Sequence, residues 1–473
     1  MSKSKKKNST HTKKNKNYSN KLKKKTKSAK ISKNSNTSII HNFLKFQNHD
    51  KKIVDYKTYQ YTPKLKGGRY VDKGSFGCII TPALPCSKTD TNLQSSISKI
   101  VHDTDNDSVS NELEISNILR KLDPEQQFYI TIDKYCYIHK IPPDRKDLIS
   151  VRFKDDDLTE YNSVDKTGKD KNTCDIDLDM NPINLIMPYA GISLKNIMKT
   201  DMRKEHKSIR ATMHKIFINN FRTYFKHLLI GLLKMHNNRI VNRDIKEQNI
   251  MLYWKRDHKD HREHREHRDN NSKSDNNQFK NNDDNTNAND IMVVRYIDFG
   301  LSSFLTSSIC KNSDNIYMKG TFYYLSPDLL ICNMIKKYNH KTEEYQMEHI
   351  MKYVNKYMRK SLLRIGEKNM LSKLNENIKH IYDKIIYIFK KEHHLESYFG
   401  SDTNKLNGYL QKGDVYALGI TLYECLSVYS NINVKKSPDL YDLFLKMIDF
   451  DPYKRYNVSQ CLSHAYFTKK NPG

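Results

Sequence analysis

The sequence predicts an α+β protein with strands early and helices late, on three observations. Residues 65–101 alternate apolar and polar positions around Gly74 and Gly77, as strands joined by a tight turn do. Residues 215–237 are mainly apolar, and residues 345–389 place apolar side chains at three- and four-residue steps, the helical period. Between these regions, in "RIVNRDIKEQNIML" (239–252), Asp244, Lys246 and Asn249 stand at fixed offsets between two short strand-like runs.

Taken in order, "GRYVDKGSFGCIITPAL" and "SISKIV" read as strands, and "SVSNELEISNILRKL" (108–122) as a helix with Ile115, Leu119 and Leu122 on one face with Glu112. Residues 141–176 are polar and poorly patterned, so a loop insertion is expected. "INLIMPYAG" (183–191) reads as a buried strand entering a turn, and 215–237 as one long helix. "NIMLY" (249–253) and "IMVVRYI" (291–297) are strands separated by a low-complexity stretch of Asn, Asp, His and Arg, placed at a loop tip where insertion costs little. Its His258, His261, His264 and His267 recur every third residue, but repeat expansion accounts for them and no metal is assigned. Met347, Ile350, Val354 and Tyr357, then Leu371, Leu374, Ile378, Ile381 and Ile385, predict two amphipathic helices inserted as a folded unit, with packing as their role and docking as the minor alternative.

The chain has 473 residues and a net charge of +28, and residues 1–49 hold fifteen Lys and no carboxylate. Repelling charge with little apolar surface predicts disorder there, and attraction to nucleic acid or an acidic partner through counterion release. Eight scattered cysteines, with no Cys-x-x-Cys spacing, predict reduced thiols. No apolar run reaches the ~20 residues of a membrane span and no signal peptide is evident, so an intracellular, soluble protein is expected.

Transfer of a phosphoryl group from ATP requires phosphates held, a divalent cation placed and an acceptor hydroxyl oriented in line. "GSFG" (74–77), "ISKI" around Lys99, "RDIKEQNI" (243–250), "YIDFG" (296–300), "KGTFYYLSPD" (319–328), "KGDVYALG" (412–419) and "DPYKR" (451–455) occur in this order. With them the chain resembles the eukaryotic-type protein kinases over residues 65–467. The resemblance implies a bilobal fold, with a small β-rich N-lobe (65–190) and a larger helical C-lobe (191–467). It sets apart a basic tail (1–64), the low-complexity insertion (255–290) and a helical insertion (331–408).

It further implies that Val71, Asp72, Lys73, Gly74, Ser75, Phe76, Gly77, Cys78 and Ile79 cover the nucleotide, and that Lys99 grips its phosphates with Glu112 as helix partner. Met187 would be the gatekeeper, with Tyr189 and Ala190 at the hinge. Asp244 would be the base and Lys246 the cation on the γ-phosphate, with Asn249 and Asp298 as ligands of Mg2+, or of Mn2+ as the alternative. Arg243 would face a phosphorylated activation loop offering Thr306, Ser307 or Ser308. Asp414 would anchor the catalytic loop, and Asp328 would replace the usual Glu in a pair with Arg455. Lys246 with Thr321 implies Ser/Thr specificity on protein substrates.

Asp244 and Asp298 lie 54 residues apart, and excising 255–290 leaves 18, a short hairpin that delivers both carboxylates to one cleft. Two positions depart from the family. Asp72 lies two residues before Gly74, where the first loop glycine is absent, and Asn242 replaces the usual His. A weakly active kinase-fold scaffold, recruiting partners through the tail and the helical insertion, is the alternative expectation. The Lys-, Asn-, Ile- and Tyr-rich composition, "FGCIITPALPC" and the helical insertion are similar to serine/threonine kinases of giant DNA viruses of mimivirus type. That placement implies host cytoplasm, with packaging into the particle left open.

Overall fold

The structure is a computed structural model. It describes residues 69–74, 77–87, 90, 93–101, 106–138, 149–152, 174–177, 181–199, 209–255, 291–304, 320–338, 340–392 and 403–469. The basic tail, the His repeat and Thr306, Ser307 and Ser308 lie outside these residues.

The first part of the chain runs β1 (Arg69–Gly74), β2 (Gly77–Thr81), β3 (Ser96–Val101), α1 (Asn106–Leu122), β4 (Lys134–Tyr137), β5 (Ile149–Arg152), β6 (Cys174–Asp177) and β7 (Ile183–Pro188). Five of these strands make an antiparallel sheet in the order β1-β2-β3-β7-β4. Strand β7 lies between neighbours and is buried on both faces, and its alternation explains this. Ile183, Leu185 and Met187 join Val101, Val109, Ile130 and Ile132 under α1, whereas Ile186 meets Ala83, Cys86 and Cys136 on the other side. Asn184 also points to that second side, where its amide donates to the Leu84 carbonyl at 2.9 Å.

Helices dominate the remainder: β8 (Ile192–Ser193), α2 (Leu194–Met198), α3 (Ile209–Asn219), α4 (Phe221–Asn237), β9 (Ile240–Val241), β10 (Ile250–Lys255), β11 (Ile291–Tyr296), β12 (Ser303–Phe304), α5 (Pro327–Lys337), α6 (Glu343–Ile365), α7 (Lys368–Ser372), α8 (Leu374–Glu392), α9 (Thr403–Glu424), a π-helical turn (Cys425–Tyr429), α10 (Pro438–Met447), α11 (Val458–Leu462) and α12 (Ala465–Thr468). The two-part α+β architecture expected from the sequence is present. No described helix is long and apolar enough to cross a membrane. Strands β10 and β11 pair in unbroken antiparallel register from Ile250↔Tyr296 to Lys255↔Ile291. The low-complexity stretch therefore departs and returns at one hairpin end.

Three expectations are corrected. The single helix over 215–237 is two, because Asn220 sits at φ −109°, ψ 21° and its Nδ2 donates to the Ile216 carbonyl at 3.0 Å. A short polar side chain that competes for backbone partners breaks the helix there. The 141–176 loop contains β5 and β6, a parallel pair from Ile149↔Cys174 to Arg152↔Asp177. Each four-residue alternation is too short to stand out from its polar surroundings. Finally, Cys86 and Cys136, expected as thiols, are joined in a disulfide, and Cys78 is disulfide-bonded as well. A separation of 50 residues carries no spacing signal. The sheet order, which seats β4 beside β7 and so near Cys86, brings the two together.

Helices α6 and α8 are amphipathic as expected, but Leu371, expected in the second of them, lies in the separate short α7. Thr342 caps α6, accepting from Tyr345 N, and Gly366 ends it in the left-handed region at φ 75°. Ile350, Val354, Met358 and Leu362 form its buried stripe. They belong to the same apolar cluster as Leu330 of α5, Ile378 and Ile385 of α8, and Tyr416 of α9. Helices α6 and α8 thus extend the core of the helical part.

Candidate active site

The eight residues 242–249 connect β9 to β10, and their backbone is held from outside. Asp414, buried in α9, accepts from Asn242 N and Arg243 N, both at 2.8 Å, and from His236 Nε2 at 3.0 Å. Arg243 adopts φ 69° and Asp298 φ 62°, a region that costs a non-glycine residue roughly 1–3 kcal/mol. The Asp414 bonds hold the first of these two turns in place. Gly320 (φ 127°) comes so close that a Cβ would lie 2.7 Å from the Arg243 carbonyl oxygen, so only glycine lets the 320–325 segment abut this loop.

Within that frame Asp244 collects donors. Its Oδ1 accepts from the Thr321 hydroxyl at 2.6 Å, and its Oδ2 from Lys246 Nζ and Asn249 Nδ2, both at 2.8 Å. Lys246 also reaches the Thr321 oxygen at 3.1 Å. Asn249 Nδ2 is spent on Asp244, so its remaining polar atom, the acceptor Oδ1, is what it can offer a cation. Asn242 is buried, and its Oδ1 accepts from Asp244 N at 3.1 Å. The carbonyl oxygen of this short amide is satisfied within its own loop.

Asp298 follows β11, and the bond from Ile297 N to the Asn249 carbonyl (3.1 Å) sets Asp298 at the end of the strand next to Asn249. Its Oδ1 accepts from Lys99 Nζ at 2.7 Å, and Lys99 meets Glu112 Oε1 and Oε2 at 2.8 and 3.0 Å. Helix α1 is fixed in this position by Asn111 Nδ2 on the Ser302 carbonyl, 2.8 Å. Burial opposes the charge on Lys99, but Asp298 and Glu112 together raise its pKa above the ordinary lysine value. Burial raises the Glu112 pKa, with the Asp298 charge adding to it. Asp298 is partly buried, which opposes its charge, yet the Lys99 and Lys246 charges hold its carboxyl below the usual range.

Asp298 and the Asn249 amide oxygen are donors of the kind a hard divalent cation takes. Among the described residues no group of three His, Cys, Asp or Glu could hold a metal alone. A hard divalent cation can be held by one or two carboxylates completed by phosphate oxygens.

The remaining expected residues are placed as follows. Val71, Asp72, Lys73 and Gly74 belong to β1, and Gly77, Cys78 and Ile79 to β2, where Asp72 pairs with Ile79 after a bulge, Lys73 with Cys78 and Gly74 with Gly77. The side chains of 71–77, and all of Ser75 and Phe76, lie outside the described residues. Met187 and Ala190 are buried, whereas Tyr189 is 42% exposed. The Tyr189 N–H donates to the Ser95 carbonyl at 2.8 Å and is therefore already engaged. Arg243 Nη1 donates to Ser303 Oγ at 2.7 Å. Asp328 and Arg455, both fully buried, pair at 2.8 Å through one carboxylate oxygen.

Sequence reasoning passed over a second polar cluster under the 320–325 segment. The Tyr324 hydroxyl donates to buried Glu247, next to Lys246, and Arg364 of α6 pairs with buried Glu424 and donates to the Tyr429 hydroxyl. Glu247 was visible in "RDIKEQNI"; the partners come from distant helices and share no spacing with it. Burial pushes the Glu424 carboxyl up to about 7, with Arg364 opposing and the Glu247 charge adding. Because the folded value exceeds the ordinary 4.5, the folded state holds this proton more tightly than the unfolded chain. Its stabilising contribution is complete below about pH 4.5 and is lost as pH rises toward 7. Melting temperature from pH 5 to 8 is expected to fall more steeply in the wild type than in Glu424→Gln. Parallel profiles would contradict this.

Residues 178–467, more than half of the chain, match the protein kinase domain family. Among curated proteins, the chain is 25% identical over 240 residues to cyclin-dependent kinase E-1 of Arabidopsis thaliana, covering 51% of this chain and 42% of that protein. It is 32% identical over 105 residues to calcium-dependent protein kinase 4 of Plasmodium falciparum, covering 22% of this chain and 13% of that protein. The chain thus spans less than half the length of these relatives.

Proposed function

Since the chain belongs to the protein kinase family, we propose that it transfers the γ-phosphoryl group of ATP to Ser or Thr hydroxyls of protein substrates. The observation that carries this reading is the meeting of Lys99, Glu112 and Asp298 beside the loop that gathers Lys246, Asn249 and Thr321 around Asp244. In this mechanism Asp244 accepts hydrogen bonds on both oxygens and orients the acceptor hydroxyl, taking its proton as the phosphoryl group moves. Lys246 lies beside that carboxylate and balances charge on the transferred group, while Lys99, steadied by Glu112, grips the other phosphates. Thr321, touching both Asp244 and Lys246, favours Ser or Thr as acceptor. Mg2+, or Mn2+ as the alternative, would be held by Asp298 and Asn249 Oδ1 and would neutralise charge on the phosphates.

The test is incorporation of labelled phosphate from Mg-ATP into the protein itself and into generic Ser/Thr substrates, with Lys99→Met as control. Lys99→Met is expected to lower incorporation by at least ~100-fold, as loss of a positioned charge does. Equal labelling would instead favour a kinase-fold scaffold, the reading that Asp72 in the phosphate-covering hairpin supports through repulsion.

The Lys-rich residues 1–49 are proposed to hold an acidic protein or nucleic acid, in which case affinity falls steeply with salt. A giant-DNA-virus source, with the host cytoplasm or the particle as location, is proposed from the composition, "FGCIITPALPC" and the helical insertion.

A further inference from the structure

The inserted helix α6 does more than fill the core, since its second half lies against the residues that follow Thr321. Ser361 Oγ donates to the Tyr323 carbonyl at 3.1 Å. Tyr357 stacks on Phe322, with ring centroids 5.2 Å apart and planes at 15°, and meets Tyr323 edge-on at 5.7 Å. Lys360 Nζ stands 4.6 Å from the centre of the Tyr323 ring. Tyr323 is two residues from Thr321, so their Cα atoms lie within about 8 Å. Thr321 in turn touches Asp244. Phe322 remains 41% exposed although its ring is stacked on Tyr357.

The outward face of this half of the helix carries one sign of charge. Lys352, Lys356, Arg359 and Lys360 are all exposed, and from His349 to Ile365 the helix has no carboxylate. Spacings of three and four residues put these cations side by side, where like charges repel. Among the described residues none of the four has a carboxylate partner, whereas Arg364 is committed to Glu424. A basic stripe in a chain of net charge +28 would ordinarily be a solvated face. This one is bonded to the segment beside Asp244 and ends on an exposed aromatic ring.

We infer that α6 is a specificity element: Lys352, Lys356, Arg359 and Lys360, with Phe322, dock an acidic stretch flanking the acceptor hydroxyl of the protein substrate. The inference rests on the transferase reading and deepens it, by assigning the substrate's chemistry to a helix inserted into the fold. Charge complementarity selects the occupant, and the aromatic floor of Phe322 and Tyr357 takes the apolar parts of the same peptide.

The experiment uses the full chain and two peptides with one central Ser, one flanked by Gly and Ala and the other by Glu on both sides. Initial rates with Mg-ATP give kcat and KM, and fluorescence anisotropy without ATP gives binding. Wild type is expected to prefer the acidic peptide on the order of tenfold, through KM, with the preference shrinking as salt rises. Lys356→Ala/Lys360→Ala is expected to reduce it to within about threefold, with kcat on the neutral peptide unchanged. Lys356→Glu/Lys360→Glu is expected to shift preference toward a Lys-flanked peptide. Equal use of both peptides by wild type, or full preference in the alanine variant, overturns the inference. So do changes confined to RNA binding. If neither peptide is phosphorylated, the transferase reading fails, and anisotropy decides docking: acidic-peptide binding that weakens in the alanine variant sustains it, and unchanged binding sinks it.

Discussion

Asp244→Asn is expected to lower kcat for phosphoryl transfer by roughly 10²–10⁴-fold while leaving the protein folded. The substitution keeps the size of the side chain. An amide placed with its oxygen toward Lys246 and Asn249 still accepts the two 2.8 Å bonds that Oδ2 accepts now. Its NH2 then faces Thr321, whose hydroxyl donates at 2.6 Å in the native site and can rotate to accept. Backbone bonds to Asp414 are untouched. What disappears is the charge and the capacity to take a proton. The decisive measurement is single-turnover phosphate transfer beside thermal melting. A variant that melts like wild type and transfers within tenfold of it would show that Asp244 is not the base.

Asp328→Ala is expected to be the most damaging substitution for stability, by about 3–5 kcal/mol. The guanidinium of Arg455 is fully buried and lies 5.1 Å from the centre of the Tyr416 ring. It also donates to the carbonyls of Asp449 at 2.8 Å and Phe450 at 3.2 Å, but Asp328 is the carboxylate paired with it. Removing that partner leaves a cation in the core with only dipoles to answer it. Domains of ordinary stability hold about 5–15 kcal/mol in reserve, so low soluble yield or an early urea midpoint is expected. The doubly apolar Asp328→Leu/Arg455→Met should recover part of the loss, because both charges leave together. A single-variant cost under about 1 kcal/mol would show that the pair is hydrated. The other Asp328 oxygen has no hydrogen-bond partner among the described residues.

Much of the candidate site was legible because its parts are local. Asp244, Lys246 and Asn249 lie within six residues, and the loop between two short strands has little freedom in how it presents them. The alternation in "IMVVRYI" and the removable polar stretch before it were enough to bring Asp298 to the neighbouring strand end. Lys99 and Glu112 sit on a strand and on the helix that follows it, so their approach needed only that the helix pack on the sheet. The same logic failed where one side chain overrides a pattern, as Asn220 does within an otherwise helical run.

By itself the sequence determined the division into early strands and later helices, the apolar stripes of α6 and α8, and the close spacing of Asp244, Lys246 and Asn249. Each follows from period, turn chemistry or spacing within a few residues, and such preferences act before any distant contact forms. Only the tertiary structure decided that Cys86 meets Cys136, that Arg364 meets Glu424, and that α6 lies on Phe322 and Tyr323. These pairs are tens of residues apart, and no local preference encodes them. They form because packed helices and a five-stranded sheet leave those side chains facing each other once the apolar core has closed.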